Sequence, residues 1–189
     1  MEHVVGDWNS LIGEEFNKPY MHELQNAITL HKQNPFGSFN SYDDYFEVFK
    51  KTPMMNTKVL YIVDTPQFNA DILYKIEADM YGLNLDMTSH TDFDWLLEQG
   101  VMIFPRHLSW NGDGKGHREW EVFTDEVIRL LTFHHGELVI CTKDRDLEIM
   151  MKELRPYIYT IGQGAGCFEE IDRYCKSHFK EVSWCPVKY

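Results

Sequence analysis

The sequence predicts a single α/β domain over residues 1–189, with a central four-stranded parallel sheet and helices on both faces of that sheet. Four short apolar runs are typical of strands buried on both faces, and segments with helical spacing separate most of them. Parallel strands need such crossover segments, because a hairpin turn cannot connect them. The length of 189 residues fits one domain. The four predicted strands are 58–63, 101–104, 138–141 and 157–161.

The elements before the first strand follow from caps and apolar spacing. Asn9 or Ser10 can cap the first helix, because a short polar side chain accepts a hydrogen bond from a free backbone N–H there. Pro19 begins the second helix, since its fixed φ suits a first helical turn. Prolines, glycines and polar residues then predict a turn-rich stretch. In chain order these elements are a helix over 11–16, a helix over 19–30, turns over 33–42 and an aromatic helix over 45–49.

The later helices recur between the strands. Gly82 and Gly100 end two of them, and a segment with three glycines, residues 110–116, is predicted to form a loop. Apolar residues in each helical segment repeat every three or four positions, which predicts one buried face. The predicted helices are 72–81, 93–97, 120–131, 147–154 and 168–178.

The net charge of the chain argues against one class of function. The chain carries 18 Lys+Arg against 30 Asp+Glu, a formal net charge of −12. A protein that coats DNA by neutralising phosphates needs a basic excess, so this balance argues against that class. The N-terminus has no basic segment followed by an apolar run, and no apolar stretch is long enough to span a bilayer. We therefore predict a soluble intracellular protein without a membrane partner, in bacterial or host cytoplasm if it is viral.

The sequence gives little support for a cofactor or metal site. Four cysteines are too few for a disulfide scaffold in a chain of this size, so reduced and mostly buried thiols are expected. The spacing of Cys167, Cys175, His178 and Cys185 is not a usual zinc pattern. Carboxylates at Asp64, Asp144 and Asp146 leave a divalent-cation site open as an alternative. We predict neither a metal nor a cofactor.

Two sequence segments carry a family resemblance. Residues 95–101 read W-L-L-E-Q-G-V and residues 120–128 read W-E-V-F-T-D-E-V-I. In that order, around a buried strand and a Gly/His-rich loop, they resemble motifs of family 1 uracil-DNA glycosylases. Residues 8–20, 46–59 and 182–187 also resemble that family. The resemblance covers nearly the whole chain, is weakest between residues 68 and 92, and implies the single-domain fold of that family.

The resemblance also locates the expected site. In open α/β sheets, ligands bind beyond the carboxyl ends of the strands. There, the family's water-orienting aspartate aligns with Thr65, its uracil-reading asparagine with Pro105, and its charge-stabilising histidine with Gly162. Asp64 is adjacent, but neighbouring side chains of a strand point to opposite faces. The resemblance therefore implies that the excision groups are lost.

Other residues at these strand ends remain candidates for binding. The pocket-closing tyrosine of the family aligns with Gln67, and the glycine-rich segment 162–166 could cradle a phosphate. Arg106 and His107 lie at the predicted mouth of the pocket, where His107 could also act in catalysis. The binding candidates are Gln67, Phe68, Arg106, His107, Gly164 and Gly166.

These observations predict a catalytically inactive uracil-DNA glycosylase-like protein that binds a protein partner of DNA replication or repair machinery. Its direct DNA binding is expected to be weak or absent. The family implies a precedent, because its poxvirus member also serves replication through protein contact, and degenerate copies fit viruses and phages. Two alternatives stay open. One is a divergent active glycosylase that uses Asp64, and the other is an acidic DNA mimic or inhibitor of a DNA-binding protein.

Overall fold

Our computed structural model of the chain describes residues 8, 12–41, 49, 56–65, 69–85, 87, 93–155 and 158–186. Internal packing divides the chain into two compact units that interleave along the sequence. The first unit comprises Met1–Met55, Val63–Thr65 and Phe104–Gly136, and the second comprises Asn56–Ile62, Pro66–Ile103 and Glu137–Tyr189.

Six strands and six α-helices have bounds within the described residues, besides shorter helical segments that include residues 12–15. The strands are β1 (Phe39–Ser41), β2 (Val59–Val63), β3 (Val101–Pro105), β4 (Ser109–Asn111), β5 (Val139–Thr142) and β6 (Tyr159–Gly162). The helices are α1 (Pro19–Gln33), α2 (Asn69–Tyr81), α3 (Asp94–Leu97), α4 (Glu121–His134), α5 (Arg145–Leu154) and α6 (Cys167–His178). A 3₁₀ turn, Arg118–Trp120, leads into α4.

A four-stranded sheet in the order β3-β2-β5-β6 forms the centre of the second unit. Strands β2 and β5 pair in parallel, and so do β5 and β6. Backbone hydrogen bonds join Lys58 N–H to the Gly100 carbonyl at the start of these two strands and Arg106 N–H to the Val63 carbonyl at their end. Residue numbers therefore rise together along β2 and β3, and β3 is parallel as well. Strands β3 and β5 are buried along their whole length, as their unbroken apolar runs predict. The predicted α/β fold with a parallel four-stranded sheet is confirmed.

The helices of the second unit pack around aromatic and sulfur-containing side chains. Helix α2 lies against α6. Tyr61 of β2 stacks on Phe168 of α6, with ring centroids 4.8 Å apart. Trp184 contacts Phe168 edge-on and donates its indole N–H to Asp172 at 2.9 Å. These contacts bury one face of α6, as its apolar spacing predicts.

The first unit contains a two-stranded antiparallel sheet that the sequence did not predict. Strands β1 and β4 pair Phe39 with Asn111 and Ser41 with Ser109, in segments that were expected to be turns. The expectation was wrong because three-residue strands rich in Ser and Asn have the composition of loops.

A second correction concerns the end of β3. Pro105 was expected to follow the strand and break it, but it is the last residue of the strand. Proline is tolerated as the last residue of β3 because β3 is an edge strand.

The remaining helix predictions have mixed outcomes. Residues 12–15 are helical, whereas the proposed caps Asn9 and Ser10 lie outside the described residues. Of the aromatic helix predicted over 45–49, only Phe49 is described, and it is buried and helical. Within the described parts of the chain, no helix is long and apolar enough to cross a membrane.

Candidate functional site

The carboxyl end of β2 places two neighbouring side chains in different environments. Thr65 is 1% exposed, and its hydroxyl donates to the Gly114 carbonyl at 3.4 Å. Asp64 is exposed, and its backbone carbonyl accepts the N–H of His107 at 2.9 Å. This difference agrees with the expected alternation of side chains. Gln67 and Phe68 lie outside the described residues.

The carboxyl end of β3 continues into a partly buried ion pair. Pro105 is buried at the end of the strand, and it has no side-chain group that could read a base edge. The guanidinium of Arg106 holds the Asp125 carboxylate in a bidentate arrangement, with Nη2 2.7 and 2.8 Å from the two carboxylate oxygens. The Thr124 hydroxyl donates to the Arg106 carbonyl at 2.9 Å. Arg106 therefore ties β3 to α4 within the first unit.

His107 is also held by a carboxylate of α4. Its Nε2 lies 3.0 Å from Oε1 of Glu121. Burial opposes ionisation of Glu121, but hydrogen bonds from Arg118 and His107 and the charge of Arg106 lower its pKa to about 2. Because that carboxylate is ionised, Nε2 of His107 must carry the proton. The other nitrogen, Nδ1, is buried without a hydrogen-bond partner beside Gly116, where a Cβ would lie only 2.1 Å from it.

A second histidine in the first unit belongs to a buried network that sequence reasoning missed. Ser109 Oγ accepts the Trp120 indole N–H at 2.8 Å and lies 2.8 Å from Nδ1 of His117. Nε2 of His117 is 3.0 Å from Asn111 Oδ1. Burial and the neighbouring His31, which stacks on the ring at 4.1 Å, lower the pKa of His117. The ring is therefore a neutral hydrogen-bonding part of the β4 framework.

In the second unit, the segment between β6 and α6 is fixed by side chains. Gly162 is exposed and pairs in register with Thr142 at the end of β5. The Gln163 amide donates to the Cys141 carbonyl at 3.1 Å and also to the Ile62 carbonyl. The side chain of Gln163 thus bridges the carboxyl ends of two adjacent strands.

An internal carboxylate occupies the start of α6. Asp79 of α2 accepts the N–H of Gly166 at 3.0 Å and that of Phe168 at 3.1 Å. Lys75, one turn earlier on α2, donates to the Gly164 carbonyl at 2.7 Å. Gly166 has φ +76°, a conformation that glycine adopts without strain. Asp79 therefore already binds N–H groups that a phosphate would need. Because Asp79 lies far from this loop in sequence, nothing in the loop's own sequence indicated this contact.

The alternative metal sites gain no support from this geometry. Among the described residues, no group of three or more His, Cys, Asp or Glu side chains is arranged to hold a metal ion. Asp144 instead caps α5, because its Oδ1 accepts the N–H groups of Asp146 and Leu147 at 2.9 and 3.1 Å.

Comparison with known proteins finds the chain similar to uracil-DNA glycosylases. No protein-family model matches it. The uracil-DNA glycosylase of Sulfurimonas denitrificans is 24% identical over 96% of this chain and 97% of its own length. Those of Helicobacter hepaticus and Bacillus anthracis are 24% and 27% identical, and the alignments cover 72% and 69% of this chain and 70% and 68% of theirs.

Solved structures agree with this relation. The crystal structure of mimivirus uracil-DNA glycosylase matches with a TM-score of 0.78 at 15% identity, over 95% of this chain and 86% of that one. A mimivirus variant in complex with UGI matches with a TM-score of 0.77 at 14% identity, over 94% of this chain and 87% of that one. The resemblance that the sequence motifs indicated is confirmed, and the fold is that of uracil-DNA glycosylases.

Proposed function

We propose that this relative of the uracil-DNA glycosylases has lost base excision and acts as a protein-binding module of DNA replication or repair machinery. The observation that carries the proposal is the chemistry at three strand ends. Thr65 is an alcohol buried against the Gly114 carbonyl, Pro105 has no amide, and Gly162 has no side chain. By resemblance, these positions would orient water, read uracil and stabilise the leaving base.

The magnitude of the loss supports an inactive protein. Positioned acid or base groups and electrostatic stabilisers each contribute factors of about 10² to 10⁴ to a reaction rate. Three such groups are replaced here by side chains that can neither accept a proton near neutral pH nor offer the same hydrogen bonds. The excision rate should therefore be negligible.

The other strand-end groups serve the scaffold. Arg106 and His107 are paired with Asp125 and Glu121, and Asp79 holds the start of α6. A fold that keeps its internal ties after losing its chemistry is suited to a role in binding. The formal charge of −12 favours a basic protein partner over a DNA backbone, because like charges repel and complementary charges speed association.

Two measurements on the purified protein test this proposal. The first is fluorescence anisotropy with single- and double-stranded uracil-containing DNA, where we expect no preference over thymine-containing DNA. The second is capture of partners from nuclease-treated lysate, followed by titration with the purified partner at low and high salt. Tight binding to uracil-containing DNA would contradict the proposal. Salt-sensitive binding that free DNA competes away would instead support the acidic DNA mimic.

The exposure of Asp64 at the carboxyl end of β2 favours one second candidate, a divergent active glycosylase. In that case a change of register would let Asp64 orient the water. Strand cleavage by alkali after incubation with uracil-containing DNA, abolished by Asp64→Asn, would support this candidate. Thr65→Val is the matched control, since it removes the neighbouring hydroxyl without touching the carboxylate.

A further inference from the structure

Phe36 lies at the tip of an ordered turn between α1 and β1. It is 98% exposed, more than any other large apolar side chain among the described residues. Its N–H donates to Oδ1 of Asn34 at 3.0 Å, and the N–H of Gly37 donates to the Asn34 carbonyl at 3.3 Å. Pro35 adds a fixed φ, and the pairing of β1 with β4 holds the chain from Phe39 onwards. The backbone of the turn is therefore fixed while the aromatic ring lies in water.

This combination is typical of an anchor residue, a side chain that fills a pocket on a partner. A ring left in water forgoes the free energy that its burial would release. Aromatic side chains in fully desolvated pockets dominate the affinity of protein interfaces. A turn that is ordered before binding loses little conformational entropy when it docks.

The same unit contains a pocket of matching chemistry. It has a volume of about 330 Å³ and lies where α1 packs against the 3₁₀ turn before α4. This volume is near the lower end for ligand pockets, so it suits a group as small as one aromatic side chain. Gln25 and Thr29, on the exposed side of α1, supply its polar rim. The apolar lining consists of Phe16, Met21, Leu24, Ile28 and Trp120.

Phe36 does not fill the pocket of its own chain. Gln25, at the rim, lies eight residues before the end of α1, which is about 12 Å along the helix axis. A second copy has no such restriction. If two α1 helices lie antiparallel across a two-fold axis, the turn after each helix can lie over the middle of the other. The same contact then forms twice, as a closed symmetric dimer requires.

The charges along α1 favour this antiparallel arrangement. From residue 24 to residue 42 the chain has neither Asp nor Glu, although its net charge is −12, and Lys32 is exposed four residues before Phe36. Residues 13–23 contain three Glu and one Lys, and that cation, Lys18, is paired with Glu15. Glu14, in the same segment, is exposed. An antiparallel pair places the basic end of one chain beside the acidic end of the other, whereas a parallel pair places like charges together.

We propose that a second copy of this chain docks on this face, so that Phe36 of each copy occupies the α1 pocket of the other. Two buried phenylalanine side chains remove about 300–500 Å² from water. A stable interface buries about 1,200–2,000 Å² in total, so these two anchors supply only part of it. The dimer is therefore weak and reversible. This inference concerns self-association and does not depend on the loss of base excision.

Analytical ultracentrifugation of the full chain tests the proposal. A concentration series from about 1 to about 200 µM brackets a micromolar Kd, and we expect the sedimentation coefficient to rise along it. Phe36→Ser should raise the Kd at least about tenfold, because it removes the anchor. This variant should keep the wild-type melting temperature, since the side chain is 98% exposed.

Leu30→Ser is the matched control. Leu30 is 70% exposed on the same helix, but it follows Met21 by two and a half turns and so lies on the opposite face from the pocket lining. This variant should dimerise like wild type. In a mixed sample of differently labelled copies, isotope-filtered NMR should also show contacts between the Phe36 ring of one copy and the Met21 methyl of the other.

Three results would overturn the proposal. One is a chain that stays monomeric over the whole series, in which case the anchor is available only to a different protein. Another is a dimer that Phe36→Ser leaves as tight as wild type, because a different face would then associate. The third is equal weakening by Leu30→Ser, since general loss of apolar surface would then explain the effect.

Discussion

Replacement of Asp79 tests the claim that an internal carboxylate satisfies the start of α6. Asp79→Ala removes an acceptor that binds the N–H groups of Gly166 and Phe168 at 3.0 and 3.1 Å. The Asp79 side chain is only 8% exposed, so water would replace those hydrogen bonds poorly. Loss of a helix cap costs about 1 kcal/mol, and a hydrogen bond to a charged acceptor contributes about 1.5–3 kcal/mol. We therefore expect the free energy of unfolding to fall by about 2–4 kcal/mol.

Urea denaturation followed by circular dichroism measures this loss, and Glu169→Ala is the matched control. Glu169 is exposed in the first turn of the same helix, so its removal changes the same charge and should cost only about 0.3–1 kcal/mol. Sulfate should restore part of the stability of Asp79→Ala beyond its general effect on wild type, because the freed N–H groups bind anions. Equal losses for the two variants, or no specific rescue, would refute the internal-carboxylate interpretation.

Three further predictions concern the first unit. Arg106→Met should lower the free energy of unfolding by about 2–4 kcal/mol because it removes the bidentate ion pair of a partly buried carboxylate, whereas Arg118→Met, with a side chain 81% exposed, should cost less than about 1 kcal/mol in the same urea assay. The lowered pKa of His117 means that the unfolded state binds a proton more readily, so stability should fall as pH drops below about 6.5; a pH series of thermal melts should show this slope, and His117→Gln should reduce it. Gly116→Ala should destabilise the protein by about 1–3 kcal/mol, because its Cβ would lie 2.1 Å from a ring nitrogen of His107, and an unchanged melting temperature would contradict that close approach.

Regular apolar patterns predicted the sheet well, and short polar strands escaped prediction. Strands β2, β3, β5 and β6 were each recognisable from a continuous apolar run. Strands β1 and β4 were missed because only three residues pair on each side, and their stability depends on each other and not on local sequence. Long-range pairing of this kind has no signature within a sequence window.

At the candidate site too, positions that follow from the local sequence could be predicted, and partners that are distant in sequence could not. The strand-end positions of Thr65, Pro105 and Gly162 followed from topology and motif alignment, since the site of an α/β sheet lies at those ends. The role of Asp79 could not be predicted, because the N–H of Gly166 that it binds lies 87 positions away. The internal partners of Arg106 were likewise invisible, although a cation next to a buried strand signals that a carboxylate is needed nearby.

Release of free uracil is the direct test of whether this protein has lost base excision. Purified protein in molar excess over a single-stranded uracil-containing oligonucleotide gives single-turnover conditions, and chromatography of the small-molecule fraction detects the base itself. With Thr65, Pro105 and Gly162 at the three strand ends, we predict no release above the protein-free control. Time-dependent release of uracil that Asp64→Asn abolishes would contradict the account and assign the chemistry to the exposed carboxylate at the end of β2.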